Sequence, residues 1–365
     1  MQSRVLLDHT ATAVPNRGTR KKERLAPLNA IFNKPCLQRL TMRSFIIRRI
    51  GYTIFTFWAF VTILFILFRI VPGDPTSMYL LDGMTPAERE AMLERHGLLE
   101  PLHVQYYEYV LQLLSGDLGY SYRYDQPVWN IITVRFWNTI FLMLGALSLA
   151  YSIGIVFGAY LAWVRGTVKE KAGLVLGLVF RSSPEFWIGI ILLSVFVFWL
   201  GWFPWGGIRE IGAETAGTFI GRYFNTSFVY HLVLPVLTGA IYYMAQPILL
   251  MRSSMIDTLA EDYIEIKEAE GLPTITVLYR HAVRNSLLPM TTVIALVTGL
   301  SVGGSLVIET VFNWPGMGRE MVESIHYNDY PMAQATFFLM GCVVIIMNFL
   351  ADIAYVYLDP RVRYD

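Results

Sequence analysis

Six apolar stretches, each long enough to cross a bilayer, leave this chain few folds to choose from. A span takes about 20 helical residues, because hydrocarbon offers no partner to a free backbone N–H or C=O. The stretches run over residues 45–71, 137–164, 172–200, 228–251, 287–311 and 333–357, the third with a polar interruption. Composition agrees: 55% of the residues are hydrophobic and 16% charged, where a soluble domain carries about a quarter charged. Disordered, coiled-coil and collagen-like chains are excluded. The expected fold class is an all-α integral membrane protein with six transmembrane helices. Small residues four apart (Gly154 and Gly158, Gly173 and Gly177, Gly299 and Gly303) let helix backbones approach closely in lipid. Cys36 and Cys342 are too few for a disulfide framework, and one lies in a basic run, the other in an apolar one.

Basic residues set the orientation. Twenty Lys and Arg fall in residues 1–49, 165–171, 252–285 and the tail after 357, against seven in the alternate loops. The positive-inside rule then puts both termini in the cytoplasm, as an even number of spans requires. Residues 1–44 form a basic extension, expected to be without packed structure. Met42-Arg43-Ser44-Phe45 also reads as a start, so the first 41 residues are either a disordered tail or an overextended reading frame. The run is too long and too polar for a secretory signal.

The chain therefore divides into the extension, a first helix (45–71), an external segment (72–135), a transmembrane domain (136–357) with a cytoplasmic segment at 252–285, and a tail (358–365). The external segment holds nine acids against four bases. Thr85-Pro86 opens one predicted helix there, which Gly97 stops, and Ser115-Gly116 closes a second over about 104–114. This mildly acidic surface is a candidate docking face for an external protein. Trp202-Phe203-Pro204-Trp205 reads as an interfacial aromatic belt.

Segment 252–285 is too polar to span. Ser253 or Ser254 is expected to cap a helix that runs to about Glu270, with Gly271 as its stop and Pro273 just beyond; a second helical run, 277–288, leads into the fifth span through Asn285 and Pro289. Such a hairpin has no membrane to bury its apolar positions, so it is expected to lie on the interface or dock into a partner. Its six acids against four bases run counter to the inside-positive trend and point to a basic protein partner.

Several separated signatures, in order, now make the chain resemble the permease subunits of type I ABC importers, in the dipeptide/oligopeptide/nickel branch. They are Pro72-Gly73-Asp74-Pro75; Gly116-Asp117-Leu118-Gly119 with Ser121; Asn138-Thr139; Ser183-Pro184-Glu185-Phe186-Trp187; Asp262-Tyr263-Ile264; Gly271-Leu272; Arg280-His281-Ala282; Arg284-Asn285; Leu288-Pro289; Glu309-Thr310-Val311-Phe312; Pro315-Gly316-Met317-Gly318; Asp329-Tyr330-Pro331; and Asp359-Pro360-Arg361. The resemblance implies a type I permease fold in a prokaryotic plasma membrane. It implies a second homologous permease, two cytoplasmic ATPases and an external substrate-binding protein as partners. The solute would be a peptide or a related one, nickel or an oligosaccharide. The helix ending at Gly271 would be the coupling helix, a short lever seated in an ATPase groove, with Asp262, Tyr263, Glu265, Ala269, Gly271, Arg284, Asn285 and Pro289 as the candidate coupling residues. Ile266 and Lys267 stand where the importer pattern has two small residues. With Glu268 and Glu270 beside Glu265, this departure implies an unusually basic groove on the partner.

Arg181 and Glu185 lie four apart, deep in the third apolar run, and could satisfy each other one helical turn apart. Ser182, Ser183 and Pro184 between them loosen the helix, and Gln246-Pro247 makes a similar polar spot in the fourth span. Arg181, Glu185 and Gln246 are candidates to line the pathway; a structural ion pair is the plainer reading. No Gly-x-x-x-x-Gly-Lys-Ser/Thr loop occurs, so ATP would be bound by the partner ATPases and no cofactor by this chain. The six histidines are scattered and make no metal pair. Gly299-Leu300-Ser301-Val302-Gly303 formally matches a hydrolase elbow, but inside an apolar helix it lacks the strand-turn-helix that chemistry needs. The chain is expected not to be an enzyme; a membrane-embedded hydrolase and an ion-coupled secondary transporter are the alternatives.

Overall fold

In the computed structural model the described residues are 35–70, 99–210, 218–287 and 305–358, with Thr85, Ala87, Gly212 and Met290 as single positions; side chains are described over 44–69 and up to 353 in these stretches. The chain divides into two units. Residues 1–52 with 362–365 make one, in which the helical stretch from Pro35 is described; residues 53–361 make the other.

Helix α1, Pro35–Ile70, begins ten residues before the expected first span. Helix α2, Leu102–Ser115, stops at the left-handed Gly116, as Ser115-Gly116 predicts. A two-residue ladder, β1 (Tyr120–Ser121) with β2 (Gln126–Pro127), is the departure from an all-helical chain among the described residues. Then come α3 (Val128–Trp163), α4 (Val168–Ser182) and α5 (Glu185–Leu193), which widens into a π-helical turn at Ser194–Trp199. Helices α6 (Phe219–Tyr223), α7 (Thr226–Tyr243) and α8 (Ala245–Leu259) follow. Helix α9 is Asp262–Ala269, and α10 (Thr274–Thr276), a π stretch (Val277–Ala282) and α11 (Val283–Ser286) form the return run. The chain closes with α12 (Leu306–Val311), α13 (Met317–His326) and α14 (Tyr330–Leu358).

Among the described residues, four helices are long and apolar enough to cross a membrane: Ser44–Arg69, Val128–Trp163, Thr226–Tyr243 and Tyr330–Ile353. The third expected span is two helices, Val168–Ser182 and Glu185–Trp199, bent by 98°. Pro184 lacks an N–H and drives Ser183 into extended backbone (ψ 135°). Most of the fifth expected span, with the Gly299 and Gly303 pair, lies outside the described residues, as do the helix expected from Thr85 and nearly all of the extension.

Packing follows the small residues. A Cβ on Gly158 would lie 2.6 Å from the Ile248 carbonyl and 2.8 Å from Met251 Cβ, so α3 and α8 touch backbone to backbone. Gly173 lets α4 take Leu161 of α3, whereas Gly177 faces open space. Val61, Leu64 and Phe65 of α1 meet Tyr109 of α2 and Phe338 of α14. Leu142 and Met143 of α3 pack with Phe228, Phe312 and Trp314.

Candidate functional site

Helix α3 sets two ends apart. Ile131 and Ile132 pack with Met317 and Met332 at one end, Ala159 and Ala162 with the 252–287 hairpin at the other. Twenty-eight residues of helix separate them, about 40 Å at 1.5 Å per residue.

At the hairpin end the expected start of the coupling helix is corrected. Ser253 and Ser254 sit inside α8, because the helix arriving from Ala245 continues past them and leaves no free N–H groups to cap. The break falls at Ala260–Glu261, and α9 starts at Asp262. Its end is as the sequence predicts. Gly271 has φ +77°, and its N–H donates to the Glu268 carbonyl at 2.9 Å. The return run starts at Thr274, just past Pro273, three residues before its expected start. It is bound to the outgoing one. Asn285 Nδ2 donates to Tyr263 Oη at 2.8 Å, Ser254 Oγ to the Ser286 carbonyl at 2.9 Å, and Ser286 Oγ lies 2.8 Å from Thr258 Oγ1.

The expectation that the hairpin needs membrane or partner to bury its apolar side chains is also corrected. Met255, Ile264, Val277, Leu278 and Ala282 form one buried cluster with Tyr151, Ala159 and Ala162 of α3. The chain supplies its own lining. What stays outside is the other face of α9. Asp262, Glu265, Glu268, Ala269, Glu270 and Gly271 are exposed, as are Arg284 and Asn285. Ile266 and Ile275 are 57% and 66% exposed. Lys267 pairs with Glu270 at 2.8 Å. Of the sequence candidates, the structure joins Tyr263 to Asn285 directly and spreads Asp262, Glu265, Ala269 and Gly271 over one short helix and its stop; Pro289 lies outside the described residues. Ile266 and Ile275 were not among the candidates; an isoleucine between acids on a polar helix was the available signal for Ile266, whereas Ile275 sits between two threonines.

The pathway candidates are not held as expected. Arg181 and Glu185 do not pair, because the extended Ser183 and the bend at Pro184 take them off one helical turn. The exposed Arg181 guanidinium lies over the Tyr242 ring at 5.5 Å. Glu185 accepts from Ser305 Oγ at 2.9 Å, beside Tyr243, while its Oε1 is buried with no partner. Gln246 is exposed on the first turn of α8.

At the opposite end, side chains lock loops together. Glu309 is fully buried; Oε1 accepts from Thr139 Oγ1 at 2.6 Å and Oε2 from the Arg319 N–H at 2.8 Å. Thr139 Oγ1 in turn accepts from the Met317 N–H (2.8 Å), so two side chains cap the start of α13. Asn138 Nδ2 donates to the Pro315 carbonyl (2.7 Å), and Trp314 Nε1 to the Asn138 carbonyl (3.1 Å). Asp329, fully buried, accepts from Ser121 Oγ and the Arg123 N–H, and from the Met332 N–H at the start of α14. Around a cavity of about 420 Å³, Arg135 pairs with Glu320 (3.0 Å), and Arg123 and Arg319 both pair with Glu323 (2.7 and 2.6 Å). Burial pushes the Glu320 carboxyl above the ordinary range against the pull of Arg135. Burial acts the same way on Glu323, but Arg123 and Arg319 outweigh it and hold that carboxyl low. Glu309 and Asp329 as anchors were missed; an acid bordering an apolar run was their signal.

Thus one end is a sealed cap and the other presents a braced acidic helix. The sequence profile described as the binding-protein-dependent transport system inner membrane component matches residues 154–364, and the corresponding N-terminal profile matches 42–143. The chain belongs to this family. It is 35% identical over 330 residues to the oligopeptide transport system permease protein AppB of Bacillus subtilis, covering 88% of this chain and 100% of that protein. It is 35% identical over 334 residues to the di/tripeptide transport system permease protein DppB of Pseudomonas aeruginosa (88% and 99% covered). It is 32% identical over 340 residues to the dipeptide transport system permease protein DppB of Escherichia coli (88% and 99%). The chain is a multi-pass, membrane-embedded permease subunit of an ABC importer, not an enzyme, and it works with ATPase and substrate-binding partners.

Proposed function

We propose that the chain conducts peptides across a prokaryotic plasma membrane, paired with a second homologous permease. Six spans with both termini in the cytoplasm would put α9 inside, against one of two ATPases, and the cap outside, facing the binding protein. The peptide reading is supported by the relatives' names. The inward placement of α9 is supported by the twenty-to-seven bias of basic residues.

The observation that carries the mechanism is the bracing of α9. A helix of eight residues, about 12 Å long, is stopped at Gly271 and tied to its return run by Tyr263–Asn285, while Ser254–Ser286 ties the same return run to α8. Held from behind, it transmits displacement rather than absorbing it. Asp262, Glu265, Glu268 and Glu270 would meet a basic groove, with Ile266 and Ile275 as apolar anchors. Arg284 and Asn285 border this face, and Ala269 and Gly271 let it approach closely. Arg181, Glu185 and Gln246 would line the path as separate polar groups rather than as an ion pair.

A cysteine placed at Ile266 tests the reading. It is expected to cross-link to the ATPase in the assembled importer and to be shielded from a membrane-impermeant thiol reagent added outside intact cells. Labelling from outside overturns it.

A further inference from the structure

Among the ionic contacts at the hairpin end, one ties separate helices together and is left unused by the coupling surface. Glu170, in the first turn of α4, is 5% exposed. Its Oε1 accepts from Arg252 Nε at 2.7 Å and also from Nη2, a two-toothed grip on a residue 82 positions away. Oε2 accepts from the Gly166 N–H at 2.6 Å, which fixes the turn between α3 and α4. Thr167 holds the same turn: its Oγ1 caps the Glu170 N–H and donates to the Val164 carbonyl at 2.6 Å.

Arg252 is equally constrained. It lies on α8, eight residues before the hairpin break begins at Ala260. Over the turn leading up to it, α8 lies close against α3: a Cβ on Gly158 would stand 2.6 Å from the Ile248 carbonyl, 2.8 Å from Met251 Cβ and 3.3 Å from the Arg252 nitrogen. The Arg252 backbone therefore cannot shift independently of α3, and its guanidinium hands that position on to α4. Helix α4 then runs from Glu170 to Ser182, about 18 Å, and ends at the 98° bend beside Arg181 and Glu185.

We infer that the Glu170–Arg252 pair is a positioning latch that carries hairpin displacement into α4 and so to the bend at Ser183–Pro184. The inference rests on the importer reading above. Without the latch, α8 and α9 still move with the ATPases, but α4 follows only through its turn from α3 and through apolar packing such as Gly173 against Leu161, with no ionic tie to α8. The pair acts through α4 and need not touch solute.

A buried ion pair can also be merely structural, so the test reads coupling rather than stability. The complete importer, with its second permease, ATPases and binding protein, is reconstituted in proteoliposomes, and peptide uptake and ATP hydrolysis are measured together. Glu170→Gln keeps the shape and removes the charge. It is expected to lower peptide moved per ATP about tenfold, a coupling loss of ordinary size, with unchanged basal hydrolysis and unchanged recovery of complex. The exchanged pair Glu170→Arg with Arg252→Glu is expected to regain much of the ratio. Arg252→Lys, which keeps the charge but loses the fork, is expected to fall between, and it decides the matter should Glu170→Gln fail to assemble. An unchanged ratio in Glu170→Gln and Arg252→Lys, or uptake and hydrolysis falling in proportion, overturns the latch. A wild-type complex that imports no peptide overturns the importer reading instead.

Discussion

The two ends of α3 use carboxylates in opposite ways. At the cap, Glu309 and Asp329 are fully buried and Glu320 nearly so, each accepting from backbone N–H, hydroxyl or guanidinium groups of another segment. At the hairpin, Asp262, Glu265, Glu268 and Glu270 face outward, and Lys267 of α9 pairs with Glu270 just past its end. The difference teaches where a fixed surface is needed and where an open one is. A buried acid that accepts from groups of another segment welds loops into one piece; an exposed acid leaves its charge for something else to meet.

The largest effect is expected from Glu309→Ala. It strands the Thr139 hydroxyl and the Arg319 N–H in a buried setting, at a cost of about 3 kcal/mol, read as a lower thermal midpoint of the detergent-solubilised permease. A midpoint within error of the parent would break the contrast between the ends. Next comes Ile266→Asp or Ile275→Asp. Each is expected to leave that midpoint alone and to weaken ATPase association by tenfold or more, about 1.4 kcal/mol, in a co-purification titration.

A smaller effect comes from pH, and it divides the cap itself. Glu323 is held low, so its contribution is present above the ordinary carboxylate value and is lost as pH falls through its depressed value. Glu320 is raised, so its contribution is present below the ordinary value and is lost as pH rises through its elevated one. Glu323→Gln is therefore expected to flatten the acid side of a midpoint-against-pH curve, and Glu320→Gln the rise-side loss just above the usual carboxylate range. The smallest effect is Glu270→Gln, which frees Lys267 from a solvent-exposed pair and is expected to change stability by less than about 0.5 kcal/mol.

How much of this the sequence disclosed depends on how local the cause is. The Gly271 stop and the Ser115-Gly116 end were legible because a left-handed turn is set by one residue. The apolar runs were legible because burial in lipid needs only length. The start of α9 was not, because Ser254 is a good cap only where a helix begins, and whether one begins there depends on α8 arriving already wound. The Arg181–Glu185 pair failed on a similar point: four apart means adjacent only while the helix persists, and Pro184 ends it. The buried face of the hairpin and the welds at Glu309 and Asp329 join residues more than a hundred positions apart. Residue order carries their chemistry but not their meeting.

The bare contact of Gly158 with Ile248 has one more consequence. With nothing compressible between them, α3 and α8 form a single beam, and a spectroscopic ruler laid across it should read the same length through the whole stroke. Whatever bends when nucleotide is spent must then bend elsewhere, and the 98° elbow at Ser183–Pro184 is one joint where the described chain has already left a straight helix.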